Sequence, residues 1–85
     1  MSQCEELVFN NIGRSHFQNI VAKAQSGGIP ISGGDAGQAG KNGFTVRWSF
    51  SERDATLRLQ CVESPMLIPC AVINSRLADL VERSR

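Results

Sequence analysis

Cysteine and histidine are the side chains of this chain best suited to chemistry, and both are scarce. The 85 residues contain three cysteines and one histidine: Cys4, Cys61, Cys70 and His16. The cysteines form no C-x-x-C pair, and an odd number without a secretion signal favours free thiols. A Cys61–Cys70 disulfide is the alternative, because these residues lie at the end of a predicted hairpin and the start of the last predicted helix.

Cys70 has the most favourable position for a reactive thiol. The positive end of a helix dipole lowers the pKa of a thiol placed there and raises its thiolate fraction. Cys70 also begins the apolar stripe of that helix, and a buried free cysteine usually behaves as a small hydrophobic residue. The structural role is favoured. A thiol-dependent activity centred on Cys70, assisted by His16 or Lys41, is kept as an alternative function.

Zinc binding would need four ligands, and the chain offers one set: Cys4, His16, Cys61 and Cys70. Their spacings match none of the familiar structural zinc patterns, so tertiary contacts alone would have to assemble the site. His16 has no carboxylate near it in the sequence to orient its ring, so a Cys–His catalytic pair has no further support. We predict no catalytic residue, no metal site and no cofactor.

The glycine-rich stretch 33–43 is the other segment that could hold a ligand. Closely spaced glycines expose backbone N–H groups to an anion, and Lys41 adds a positive charge, so phosphate or nucleotide binding is a second alternative. A Walker A loop requires a glycine where this chain has Asp35, and a helix must follow where a strand is predicted here. The favoured interpretation is a flexible loop over residues 33–42.

A β-hairpin over Gly43–Val62 is the most regular element that the sequence predicts. Apolar and polar residues alternate in both halves, which gives an extended strand one apolar and one polar face. Polar residues Ser51–Asp54 are expected to form the turn. The apolar face is predicted to hold Phe44, Val46, Trp48, Phe50, Ala55, Leu57, Leu59 and Cys61.

The register of this hairpin stays open. Pairing Phe50 with Ala55 would place Arg47 opposite Arg58, and like charges directly opposite destabilise a sheet. A register shifted by two residues removes this repulsion and keeps the same faces. The sequence therefore predicts the faces of the two strands and not their pairing.

Two helices are predicted on either side of the hairpin. Apolar residues recur at helical spacing over Arg14–Gln25, and Gly27 follows as a stop signal. A second apolar stripe runs over Cys70–Val81, after Pro69, which suits the start of a helix. Both helices are expected to cover the apolar face of the sheet.

The first twelve residues leave two interpretations open. Ser2 followed by Glu5 has the spacing of a capping box and favours a helix. Alternation of Glu5, Leu7 and Phe9 with polar neighbours favours a short strand. We favour a short strand or extended arm that leads into the first helix. Residues 29–32 form another candidate strand, which its proline would confine to a sheet edge.

Composition narrows the classes of function. Nine Lys and Arg residues face eight Asp and Glu residues, a net charge of +1, which argues against a dedicated binder of nucleic acid or anionic membranes. No stretch approaches the roughly 18 apolar residues of a membrane span, and the N-terminus lacks the pattern of a signal peptide. A cytoplasmic location is expected.

These features predict a single small α+β domain over residues 1–85, with two helices against a small antiparallel sheet. The leading function is a non-enzymatic module that binds another protein, or a second copy of itself, through a sheet edge. The strand Thr56–Val62 is expected to offer the freer edge, unless residues 5–9 pair with it.

Overall fold

The structure is a computed structural model that describes residues 4–31, 34–41, 43–65 and 68–84. Over these residues the chain forms, in order, β1 (Leu7–Phe9), α1 (Arg14–Ser26), β2 (Ala36–Lys41), β3 (Phe44–Ser51), β4 (Thr56–Glu63) and α2 (Cys70–Arg83). The strands make one antiparallel sheet in the order β1-β4-β3-β2. The predicted α+β class is confirmed.

The hairpin of β3 and β4 adopts the register that separates the arginines. Arg47 pairs with Gln60, and the ladder begins where Ser51 pairs with Thr56. Ala55 has a φ of 51°, in the left-handed region, which takes it out of the ladder and into the turn. The turn therefore lies one residue later than predicted, and this moves the pairing by two residues.

The N-terminal segment forms a short strand, as favoured by the sequence. Leu7 pairs with Leu59 and Phe9 pairs with Leu57, so β1 lies against β4. Because β4 then has a neighbour on each side, the prediction that Thr56–Val62 offers the freer edge does not hold. The prediction excluded the case in which residues 5–9 pair with this strand, and that case is the one observed.

Strand β2 forms where a flexible loop was expected. Each residue of Ala36–Lys41 pairs with a residue of β3, so the prediction of a loop is wrong over this range. Gly33 and Asn42, at the two ends of the predicted loop, lie outside the described residues. The dipeptide Asn-Gly at 42–43 is the strongest sequence signal for a two-residue hairpin, and Gly43 has the positive φ, 86°, that such a turn requires.

Residues 29–31 do not form the predicted edge strand. The N–H of Ile31 donates to the carbonyl oxygen of Ile29 at 2.8 Å, which makes a three-residue turn centred on Pro30. Proline suits this position because its ring holds φ near the value that the turn needs. Ser32, the last residue of that predicted strand, lies outside the described residues.

The helices and the core follow the predicted patterns. Helix α1 ends one residue later than predicted, and α2 begins at Cys70 and continues to Arg83. The rings of Phe17 and Phe50 stack with their centroids 4.4 Å apart. The main buried cluster joins both helices to the sheet and contains Ile12, Phe17, Ile20, Ala39, Trp48, Phe50, Leu57, Leu59 and Val81.

Candidate functional site

The outer side of β2 presents a row of backbone groups to solvent. The N–H of Phe50 donates to the carbonyl oxygen of Asp35 at 2.7 Å, so the backbone of Asp35, just before β2, is directed toward β3. In an antiparallel ladder every second residue turns its N–H and C=O toward the neighbouring strand. Gly37 and Ala39 therefore bond to β3. The groups that point away belong to Ala36, Gln38 and Gly40, and this row is called the β2 edge.

The side chains along the β2 edge leave its backbone accessible. Ala36, Gln38 and Gly40 carry no charge, and no proline occurs in β2. Natural edge strands are usually protected by charged residues, proline, bulges or short length. Strand β1, at the opposite edge of the described sheet, has three residues against six in β2. The β2 edge is thus the longer and less protected of the two.

Amide hydrogen exchange should alternate along β2. We expect the N–H groups of Gly37 and Ala39 to exchange slowly because they donate to β3, and those of Gln38 and Gly40 to exchange near the unstructured rate in dilute solution. Residue-resolved exchange by NMR measures this directly. Uniformly fast exchange from Ala36 to Lys41 would instead support the flexible loop expected from the sequence.

An apolar groove lies where the β2–β3 hairpin meets the two helices. It has a volume of about 440 Å³ and is bounded by the end of α1, the hairpin and the first half of α2. Its apolar lining comes chiefly from Ile29, Phe44, Val46, Ile68, Val72 and Leu77. Val72 is 49% exposed at the surface of α2. We call this cavity the hairpin-end groove.

The charges at the hairpin-end groove are both positive. Lys41 and Arg76 line it, and no acidic residue does so among the described residues. Lys41 Nζ donates to the carbonyl oxygen of Gly27 at 3.0 Å, at the C-terminal end of α1. That oxygen belongs to the negative end of the helix dipole, so it holds the ammonium group close to the groove.

Cys70 does not carry a free thiol in this structure. It forms a disulfide with Cys4, with the two Cα atoms 5.3 Å apart, so the prediction of free thiols is wrong for Cys4 and Cys70, and the alternative of a Cys61–Cys70 bond is not observed. A thiol-dependent activity centred on Cys70 would first require reduction of this bond. Disulfides persist mainly in oxidising compartments, so the argument from free cysteines to a cytoplasmic location loses its support.

The other residues considered for chemistry have structural contacts. Cys61 is a buried free cysteine, and its Sγ donates to the carbonyl oxygen of Glu63 at 3.2 Å. His16 Nε2 lies 2.8 Å from the carbonyl oxygen of Val81 and links the two helices. Among the described residues no three Cys, His, Asp or Glu side chains are grouped as metal ligands.

The backbone hydrogen bonds of β2 argue against the hypothesis that the glycine-rich stretch binds an anion. The N–H groups of Gly37 and Ala39 are directed to β3, and Lys41 Nζ is bonded to Gly27. A phosphate cradle needs several N–H groups that converge on one point. Over Ala36–Lys41 the strand instead turns alternate N–H groups to opposite sides.

The polar side of the β3–β4 hairpin is open to solvent. Arg47, Ser49 and Arg58 are exposed on this side. Arg58 Nη1 donates to Glu6 Oε1 at 2.9 Å, so one of the two arginines predicted on this side is paired with a carboxylate. This side of the hairpin therefore offers less free positive charge than the sequence indicates.

Arg14 is a connecting residue that sequence analysis missed. Its guanidinium binds Asp35 through Nη1 at 2.6 Å and Glu52 through Nε at 2.7 Å, and it lies 5.1 Å from the centre of the Phe50 ring. The hydrogen bond from Arg14 holds the pKa of the Asp35 carboxyl below its ordinary value. A basic residue at the start of a helix is unfavourable because the helix dipole is positive there. Arg14 at the start of α1 is therefore a sequence signal that acidic partners lie nearby.

Comparison with known proteins does not indicate a function, so an inference about function depends on the fold and on the surfaces described above. No protein-family model, no curated protein and no solved structure matches this chain. None of the helices in the described part of the chain is long and apolar enough to span a membrane. The class defined so far is an α+β domain whose antiparallel sheet has the order β1-β4-β3-β2.

Proposed function

We propose that this chain is a small non-enzymatic module that associates with a second copy of itself through the β2 edge. The observation that carries the proposal is the outward row of N–H and C=O groups at Ala36, Gln38 and Gly40, which have no neighbouring strand among the described residues. Such a row accepts another strand because its backbone groups are already aligned in the extended conformation.

The sequence of β2 is compatible with pairing to itself. In an antiparallel arrangement with Gln38 opposite Gln38 of the second copy, Ala36 lies opposite Gly40, and the outward groups of both strands meet. Asp35 lies opposite Lys41 of the second copy in this register, so no like charges face each other, although within its own chain Asp35 is bound by Arg14 and Lys41 by the carbonyl oxygen of Gly27. The small residues Ala36 and Gly40 allow the two backbones to approach closely. The product is one continuous sheet built from two chains.

Gln38→Pro should abolish this association and leave the monomer folded. Proline removes an N–H that points away from β3, so the ladder within the chain is kept while the ladder between chains is broken. Sedimentation equilibrium over a range of concentrations measures the oligomeric state, and circular dichroism reports folding. Gln38→Ala, which keeps the N–H, is the matched control and should associate as the wild type does.

Two results would overturn the proposal. One is a wild-type chain that sediments as a monomer at every accessible concentration. The other is an oligomer whose dissociation constant is the same for Gln38→Pro and Gln38→Ala. In a dimer of the proposed kind, the N–H groups of Gln38 and Gly40 should also become protected from exchange as concentration rises.

A further inference from the structure

We propose that the hairpin-end groove binds an apolar carboxylate with a flexible alkyl chain, such as a medium-chain fatty acid. The site differs from the β2 edge, because it is formed by side chains and the β2 edge by backbone groups. Binding here and pairing there are separate properties, and each has its own test.

The shape and lining of the groove favour a flexible apolar chain. Its volume of about 440 Å³ falls in the range of roughly 300–1,000 Å³ that small-molecule sites occupy. A single turn of α-helix, about 10 Å wide with a pitch of 5.4 Å, fills roughly 400 Å³, so an amphipathic helix could place only one turn in it. An alkyl chain can instead lie along the apolar residues Ile29, Phe44, Val46 and Val72.

The charges of the groove favour a carboxylate at one end of that chain. Arg76 is exposed and forms none of the ion pairs seen among the described residues. Its planar guanidinium presents paired donors that match the two oxygens of a carboxylate. Lys41 Nζ uses one donor on Gly27, and an ammonium group has three, so it can also contact an anion. With no acidic residue in the described lining, a cationic head group would be repelled.

Isothermal titration calorimetry with decanoate below its critical micelle concentration tests the proposal. We expect saturable binding of one molecule per chain. Binding should tighten by up to about fourfold for each methylene added between hexanoate and decanoate, as expected for burial of a CH₂ group. Decan-1-ol, which lacks the charge, should bind more than about fivefold more weakly than decanoate, because it loses its contacts with both Arg76 and Lys41 and one solvent-exposed ion pair is worth about fivefold. Decylamine should bind more weakly still.

The variant Arg76→Gln tests the contribution of the carboxylate head group separately from that of the alkyl chain of the ligand. This variant should bind decanoate about fivefold more weakly and decan-1-ol unchanged. Arg83→Gln is the matched control, since Arg83 is exposed on the same helix and does not line the groove, and it should behave as the wild type. Circular dichroism verifies that both variants are folded.

The proposal is overturned if decanoate shows no saturable binding, or if decanoate and decylamine bind equally. Equal losses of decanoate affinity in Arg76→Gln and Arg83→Gln would also overturn it, because they would indicate an effect of total charge. An acidic amphipathic peptide that binds the groove, with decanoate unable to displace it, would show that the occupant is a protein segment.

Discussion

Trp48→Ala should lower the free energy of unfolding by about 3 to 5 kcal/mol, the usual cost of deleting a large buried aromatic side chain. Trp48 is 4% exposed in the main core cluster, and its Nε1 donates to the carbonyl oxygen of Gly34 at 3.0 Å. The substitution leaves a cavity and removes the partner of that oxygen. Because small domains are stable by only about 5–15 kcal/mol, a large part of the molecules would be unfolded at mild denaturant concentrations.

Ser49→Ala is the matched control for this prediction. Ser49 is the next residue of β3, is exposed and lies on the other side of the sheet, so its substitution should change the unfolding midpoint very little. Chemical denaturation of the two variants and the wild type gives the comparison. Equal midpoints for Trp48→Ala and Ser49→Ala would mean that the assignment of the two faces is inverted.

A second effect of Trp48→Ala should appear in β2. An added Cβ on Gly37 would lie 2.8 Å from the Trp48 ring, which shows that β2 rests directly on the tryptophan and that glycine is needed there. Without the ring, β2 loses its main apolar support. The slow exchange expected for the N–H groups of Gly37 and Ala39 should then be lost before that of β4.

Removal of the Cys4–Cys70 disulfide should have a comparable effect. The two cysteines are separated by 66 positions, and the chain-entropy estimate for closing a loop of that length is about 4 kcal/mol. Cys4→Ala combined with Cys70→Ala should therefore lower the unfolding midpoint strongly. Since the bond joins the segment before β1 to the start of α2, the amides of both of these segments should become less protected from exchange.

Cys61→Ala is the control because it retains the disulfide. Cys61 is buried in the same small cluster as Cys4 and Ile73, so its substitution loses some packing but no cross-link, and the destabilisation should be clearly smaller. Titration of thiols in denaturant provides the direct measurement. We expect one reactive thiol per wild-type chain before reduction and three afterwards, and three thiols before reduction would refute the bond.

The sequence by itself determined the elements whose signals are local. Alternation with a period of two predicted the buried and exposed faces of β3 and β4, and helical spacing predicted α1 and α2 to within two residues at their ends. The short strand β1 could be favoured because Leu7 and Phe9 alternate with polar neighbours. Each of these patterns depends on side chains a few positions apart, and the burial of one face is enough to select it.

Tertiary structure alone decided the features that join distant parts of the chain. Strand β2 has no large apolar residue, and it is ordered because β3 supplies a ladder and Trp48 a surface; the Asn-Gly dipeptide at 42–43 is a hairpin signal that the prediction of a loop did not use. The bond between Cys4 and Cys70 exists because β4 holds the N-terminal segment beside the start of α2. The register of β4 depends on the left-handed conformation of Ala55. The periodicity of a sequence describes which residues share a face, but not which strands or cysteines meet, because that choice is made by the packing of the whole domain.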